Sequence, residues 1–210
     1  MASHACLVAR DAAYNFGDLV ANSSSLAFQA IQECEKELDQ IEREIDEKLA
    51  AAITRVSESR ARELLACLKF IIDLERIGDL ILSAAHRFRH SHSLDNRDTR
   101  QLAAMSAILQ RMLEQIQLGF VQREVSYAAA VLQADTEVDQ TRFAIFQRHL
   151  RARTKKGSEE SSIDVLFMAQ ALERAGDHAK NLAEELYSLV EGHTLRHVPK
   201  KQRTSRLAGL

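Results

Sequence analysis

LERIGDL, residues Leu74–Leu80, returns as LERAGDH, Leu172–His178, 98 residues later in a chain of 210. Each copy sets a glutamate and an aspartate four apart around a glycine, with an arginine beside the glutamate. Side chains four apart share one helix face, about one turn from each other. Glu75 and Asp79, and likewise Glu173 and Asp177, can therefore point at one site in each copy. At about 100° per residue, Glu75 falls about 40° from Ile71, inside the arc that also carries Leu64 and Leu68; Asp79 lies at its edge. A carboxylate within an apolar arc needs a cation or hydrogen bonds, because a lone buried charge is costly. Gly78 and Gly176 weaken their helices, and the expected return is room for another helix or an ion to come close.

The repeat reaches further. Glu35 and Asp39, in ECEKELD, match Asp135 and Asp139, in QADTEVD, 100 residues on, and the drift of two residues fits in connecting turns. Only 1 proline, 7 glycines and 5% aromatics oppose strand and favour helix throughout. Apolar spacing predicts a first helix over Ala5–Leu19, short beside the others. A long second helix follows the caps in ANSSS and runs to about Ile53, with Leu38, Ile41, Ile45, Leu49 and Ala52 as its stripe. A third starts after Ser57 and runs to about Arg87. HRFRHSHSLDNRDT, His86–Thr99, is polar and non-periodic and reads as the longest connection. Then come a fourth helix over Gln101–Phe120 (Leu102, Met105, Leu109, Met112, Ile116), a fifth over Arg123–Arg151, a turn at Arg153–Ser162 broken by Gly157, and a sixth over Ile163–Val190 that stops at Gly192. The order, repeated twice, predicts an all-α protein of two tandem three-helix bundles, residues 1–90 and 91–210, made by internal duplication.

Composition removes several function classes. A net charge of -2 from 28 basic and 30 acidic residues gives no broad nucleic-acid signal. Cys6, Cys34 and Cys67 are scattered and odd in number, which suits reduced thiols in the cytoplasm. The start MASHACLVARDAAYNF lacks a signal-peptide pattern, and no window approaches the roughly 20 apolar residues of a membrane span. Walker-type, HExxH and GxSxG motifs do not occur.

The second and third helices should run antiparallel, so that their carboxylate pairs face each other across a seam. Such an oxygen-rich site suits iron, manganese, magnesium or zinc. It differs from a ferritin-type di-iron centre, since no histidine lies three after Glu75 or Glu173. The competing reading is helix-to-helix salt bridging that involves Arg76 and Arg174. Glu42 and Asp46 form another pair four apart, but their counterparts are Arg142 and Phe146, which reads as ordinary surface. His86, His90 and His92 have no partners in the second half and read as a polar connection at the frayed end of the third helix. Lys155, Lys156 and the late run KQR could touch a phosphate or an acidic surface, although such clusters are commonly just solvated.

LERIGDL, the run LERAGDHAKNLAEELYSLVEGHTLRHV and the ExxxD and DxxxD pairs before them together resemble the PhoU family, accessory regulators of bacterial high-affinity phosphate transport. The resemblance covers nearly the whole chain. It implies a pair of three-helix bundles and no enzymatic activity. It also implies metal binding through Glu35, Asp39, Glu75 and Asp79 in the first half and through Asp135, Asp139, Glu173 and Asp177 in the second. The implied role is restraint of the phosphate-starvation response, linking a phosphate ABC transporter to a membrane sensor histidine kinase, in a protein that is often a homodimer. Asn181 keeps the family's asparagine four after the last aspartate, whereas the first half has Ser83. The second half is therefore expected to be the better cation site. The alternatives are a cytoplasmic regulator of another anion or sodium–phosphate transporter, and a carboxylate-metal hydrolase or oxidase.

Overall fold

In the computed structural model, which describes residues 1–91, 94–152 and 159–192, the chain forms six α-helices. These are α1 (Ala2–Asn22), α2 (Ser25–Ala52), α3 (Glu58–His90), α4 (Asn96–Gln122), α5 (Ser126–Ala152) and α6 (Glu159–Glu191), with one 3-10 turn at Ile53–Arg55. Local chemistry sets the boundaries. Ser24 accepts a hydrogen bond from the Ala27 amide, Ser57 from that of Arg60, and Asp95 from those of Arg97 and Asp98, so three helices begin on side-chain caps. Ser23 and Arg123 follow α1 and α4 in the left-handed conformation, and Gly192 ends α6 with φ of 75°.

Helices α1, α2 and α3 pack on one another, as do α4, α5 and α6, giving the two expected bundles. The bundles lie side by side through two further seams, α1 on α4 and α3 on α6. At the first, Gly17 faces Ser106, whose hydroxyl donates to the Ala13 carbonyl, and Gln117 donates to Ser3. At the second, Lys69 meets Glu185, Asp73 meets His178 at 2.7 Å and Arg87 meets Asp164 at 2.9 Å, an antiparallel ladder of charge. One continuous apolar core runs through both bundles. The predicted α4 stripe of Leu102, Met105, Leu109, Met112 and Ile116 is fully buried in it. Each such side chain contributes about 1.5–3 kcal/mol.

The link between the halves is shorter than its polarity suggests. α3 continues through His86 and His90, and α4 begins at Asn96, so most of His86–Thr99 is helical. Arg87, Arg89 and His90 favour the carbonyl end of α3, while Asp95 caps α4. Asp98 is 3% exposed and is held by Arg148 and His149 of α5, which explains an acid in what reads as a linker. His86 stacks edge-on against Phe28, and His90 bonds the His86 carbonyl, so neither marks a frayed end. α1 also extends three residues beyond the predicted helix at each end. The predicted turn around Gly157, with Lys155 and Lys156, lies largely outside the described residues, as do His92, KQR and the last residues of GHTLRHV.

Candidate functional site

The first carboxylate set sits on the α2–α3 seam. Glu75 comes from the buried arc of α3 and is 9% exposed, beside Ile71 and Leu74 at 1% or less. One oxygen each of Asp39, Glu42 and Glu75 lie within 4.8 Å of one another. Asp79 lies one turn along α3, where its charge acts on both Glu35 and Glu75, so all four predicted acids of this half belong to one field. Burial, then the charge of Asp79, pushes the Glu75 carboxyl up to about 7 against the pull of Arg76. Burial also raises Glu35, helped by Asp39 and Asp79, and raises Glu42, helped by Asp46. The nearby cations come from outside. Arg76 reaches Glu75 and Asp79 of its own helix at 3.4 and 3.3 Å, and Arg43 reaches Asp39 at 2.9 Å, both arginines more than half exposed. Glu75 Oε2 is buried and has no hydrogen-bond partner.

The second set occupies the matching α5–α6 seam, and its four acids again share one field. Here cations enter the seam itself. Lys180 Nζ sits 2.7 Å from Asp135 and 3.5 Å from Asp177. Arg142 Nε lies 3.4 Å from Glu173, and Gln170 donates to the other oxygen of Glu173. Burial raises Asp135 despite Lys180, and raises Glu173 despite Arg142. For Lys180, burial works against the charge, yet the hydrogen bond to Asp135 together with the charges of Asp135 and Asp177 outweighs it and holds the amine above its usual range. Asn181 is half-buried next to Lys180 on α6, while Ser83 is exposed on α3.

Three residues outside the repeated motif thus shape the two sites. Glu42 joins the first cluster instead of being ordinary surface, because α2 turns it toward Glu75. Its counterpart Arg142 is the cation that meets Glu173. Lys180 stands where the first half has Leu82, 98 residues earlier. The available signal was the mismatch between copies, Glu42 against Arg142 and Leu82 against Lys180. Among the described residues, the salt bridges that join the repeated acids across helices use Arg142 and Lys180, whereas Arg76 pairs along its own helix. His178 turns away from Asp177 and binds Asp73 on α3.

Chemically, the α2–α3 cluster offers hard oxygen donors with little internal compensation, the donor set that divalent and trivalent cations prefer. Among the described residues, no corresponding group of three closes to that distance on the α5–α6 seam.

Comparison with known proteins agrees with the duplicated architecture. The PhoU domain matches the chain twice, over residues 4–88 and 102–186. A phosphate-specific transport system accessory protein PhoU homolog from Burkholderia sp is 30% identical over 198 residues, covering 88% of this chain and 82% of the relative. The Pseudomonas aeruginosa homolog is 29% identical, covering 86% and 76%. The fold matches the crystal structure of PhoU from Pseudomonas aeruginosa with a TM-score of 0.79 at 23% identity, over 90% of this chain and 93% of that one. It also matches the phosphate transport system regulatory protein PhoU from Streptococcus pneumoniae, with a TM-score of 0.80 at 20% identity, over 92% and 93%. These relatives are named as accessory and regulatory proteins, and the absence of an enzymatic role follows from that kinship. With both halves matched and the helix order shared, the chain belongs to the PhoU family.

Proposed function

We propose that this chain is an accessory regulator of phosphate uptake that restrains the phosphate-starvation response while phosphate is plentiful. The observation that carries the reading is the PhoU domain match in both halves, shared with relatives named as phosphate-specific transport accessory proteins. In this reading the halves, residues 1–90 and 91–210, form a helical adaptor between a phosphate ABC transporter subunit and a membrane sensor histidine kinase. It works at the cytoplasmic face, as a homodimer. Among the described residues no helix is long and apolar enough to cross a membrane.

Two surface features support an adaptor. Phe143, Phe146 and Leu150 of α5 and Ile163 and Phe167 of α6 are all exposed, forming an apolar face suited to a partner. The positions equivalent to the first three are Arg43, Asp46 and Ala50, so this face belongs to the second half. The α2–α3 cluster supports a bound cation such as iron, manganese, zinc or magnesium. Glu75 Oε2, buried and without a hydrogen bond, with only the exposed Arg76 guanidinium at 3.4 Å, is the feature that fits one. A cation there would hold α2 against α3 and bias the conformation offered to partners.

Deleting the gene should raise high-affinity phosphate uptake and a starvation-response reporter in phosphate-rich medium. Wild-type levels of both would refute the regulatory reading. A Phe146→Glu/Phe167→Glu variant should keep its helical content by circular dichroism, since both side chains lie outside the core and Arg87, stacked 4.5 Å over the Phe167 ring, can pair with the new carboxylate, and should fail to restore repression. Full restoration would remove the apolar face from the adaptor.

A further inference from the structure

We propose that the second half of this chain has replaced a bound cation with cations of its own, Lys180 and Arg142, so that metal binding is confined to the first half. The proposal rests on the cation reading of the α2–α3 cluster and narrows it.

The two seams present similar acids on similar backbones, and they differ in what neutralises those acids. On the α5–α6 seam, Lys180 bridges Asp135 and Asp177 from inside the seam, with its side chain 21% exposed. Arg142, 34% exposed, crosses from α5 to Glu173 on α6. A metal ion entering that space must displace an ammonium group already hydrogen-bonded to a carboxylate 11% exposed. It would then bind with the displaced ammonium and the Arg142 guanidinium, 3.4 Å from Glu173, still close by and repelling it. On the α2–α3 seam neither cation has an equivalent. Leu82 supplies no charge where Lys180 stands, and Glu42 supplies the opposite charge to Arg142. Arg43 and Arg76 do approach this cluster, yet their side chains are 66% and 56% exposed and can swing into water when an ion binds. The first half thus pairs its acids with exposed arginines of their own helices, and the second pairs them with half-buried cations that cross between helices. A lysine bridge and a cation bridge do the same mechanical work, joining two helices through their carboxylates. The lysine version is permanent, so the second bundle holds its shape at any metal concentration, and only the first responds to one.

The test uses the chelator-stripped full chain and Mn(II), followed by titration calorimetry and by loss of the free Mn(II) resonance, with circular dichroism as the folding control. Asp39→Asn/Glu75→Gln should weaken binding by tenfold or more, and Asp139→Asn/Asp177→Asn should leave it within twofold of wild type. Arg142→Glu/Lys180→Leu, which installs the first-half residues, should add a second set of sites and about double the bound Mn(II). Lys180→Gln, close in shape and still able to hydrogen-bond Asp135, covers the case in which the double change does not fold, and should also gain Mn(II). Equal losses from the two pairs of acid substitutions would overturn the proposal while leaving cation binding by the family fold intact. Wild type that takes up no Mn(II) would instead defeat the first-half cation reading. Gain of binding by the Lys180 variants would then still support internal replacement, and no gain would overturn that as well.

Discussion

The α2–α3 and α5–α6 seams answer one electrostatic problem in two ways. Each gathers repeated acids on facing helices, and in each burial raises carboxyl groups above their usual range. The second seam answers with Lys180 and Arg142 inserted between helices. The first answers with two arginines that stay largely in water and pair along their own helices. A duplicated backbone therefore does not imply a duplicated site. Two side chains outside the repeated motif are enough to turn an open set of ligands into a closed ionic joint.

The largest expected effect breaks that joint. Lys180→Leu leaves Asp135, 8% exposed, without its ammonium partner. Removing one member of a buried pair costs about 3 kcal/mol, because the remaining charge is stranded. Arg76→Leu on the first seam should cost less than about 1 kcal/mol, since its pairs are made by an exposed guanidinium. Urea unfolding of metal-free protein followed by circular dichroism compares the two directly. Equal costs would mean that the seams do not differ in how their charge is compensated.

A second prediction concerns pH and the metal-free protein. A glutamate in an unfolded chain titrates near about 4.3, whereas the folded Glu75 carboxyl is pushed up to about 7. Between those values the folded state holds the extra proton. The contribution of Glu75 to stability thus falls as pH rises through that window and stays lost above it. Glu75→Gln removes the titration. The variant should be more stable than wild type by about 2 kcal/mol at pH 8, discounting the full shift for water at the rim of the seam, with the advantage vanishing near pH 4. Denaturant midpoints at several pH values give the measurement. An advantage that does not change with pH would show that packing, and not charge, sets the effect.

The helices themselves were legible because periodicity is a local property. Leu102 through Ile116 on α4 appear in the sequence as they do in the core, and Gly192 ends α6 where a breaker should. Charge was harder to read, because its meaning depends on partners distant in sequence. Asp98 belongs to a polar run until Arg148 and His149 of α5 close over it. Glu42 read as ordinary surface because its counterpart is an arginine, yet that exchange helps to separate the two seams. Lys180, a turn away from an aspartate on a mixed helix face, carries no mark that it will cross to Asp135. The apolar face of Phe143, Phe146 and Phe167 was hidden for the opposite reason, since helical spacing makes such residues look like core.

The smallest expected effect separates the two glycines that opened the comparison. A Cβ on Gly176 would meet Val138 Cγ1 at 3.5 Å, an ordinary van der Waals contact. A Cβ on Gly78 would meet Leu38 Cδ1 at 2.6 Å, with Leu38 itself 2% exposed and short of room to move. Alanine in a helix interior is better than glycine by about 0.5–1 kcal/mol. Gly176→Ala should therefore stabilise by that amount, raising the melting temperature by about 2 °C in a chain of this size. Gly78→Ala should gain nothing, because forcing a buried leucine aside costs about 1 kcal/mol or more. The pair Leu38 and Val138 occupies equivalent positions, so the difference can be transplanted. In a Leu38→Val background, Gly78→Ala should recover the stabilisation seen at Gly176, and the coupling between the two changes is read from a double-mutant cycle. Stabilisation by Gly78→Ala in the unaltered chain would show that α2 and α3 have slack at their closest approach, and that the tighter seam is not the one facing Glu75.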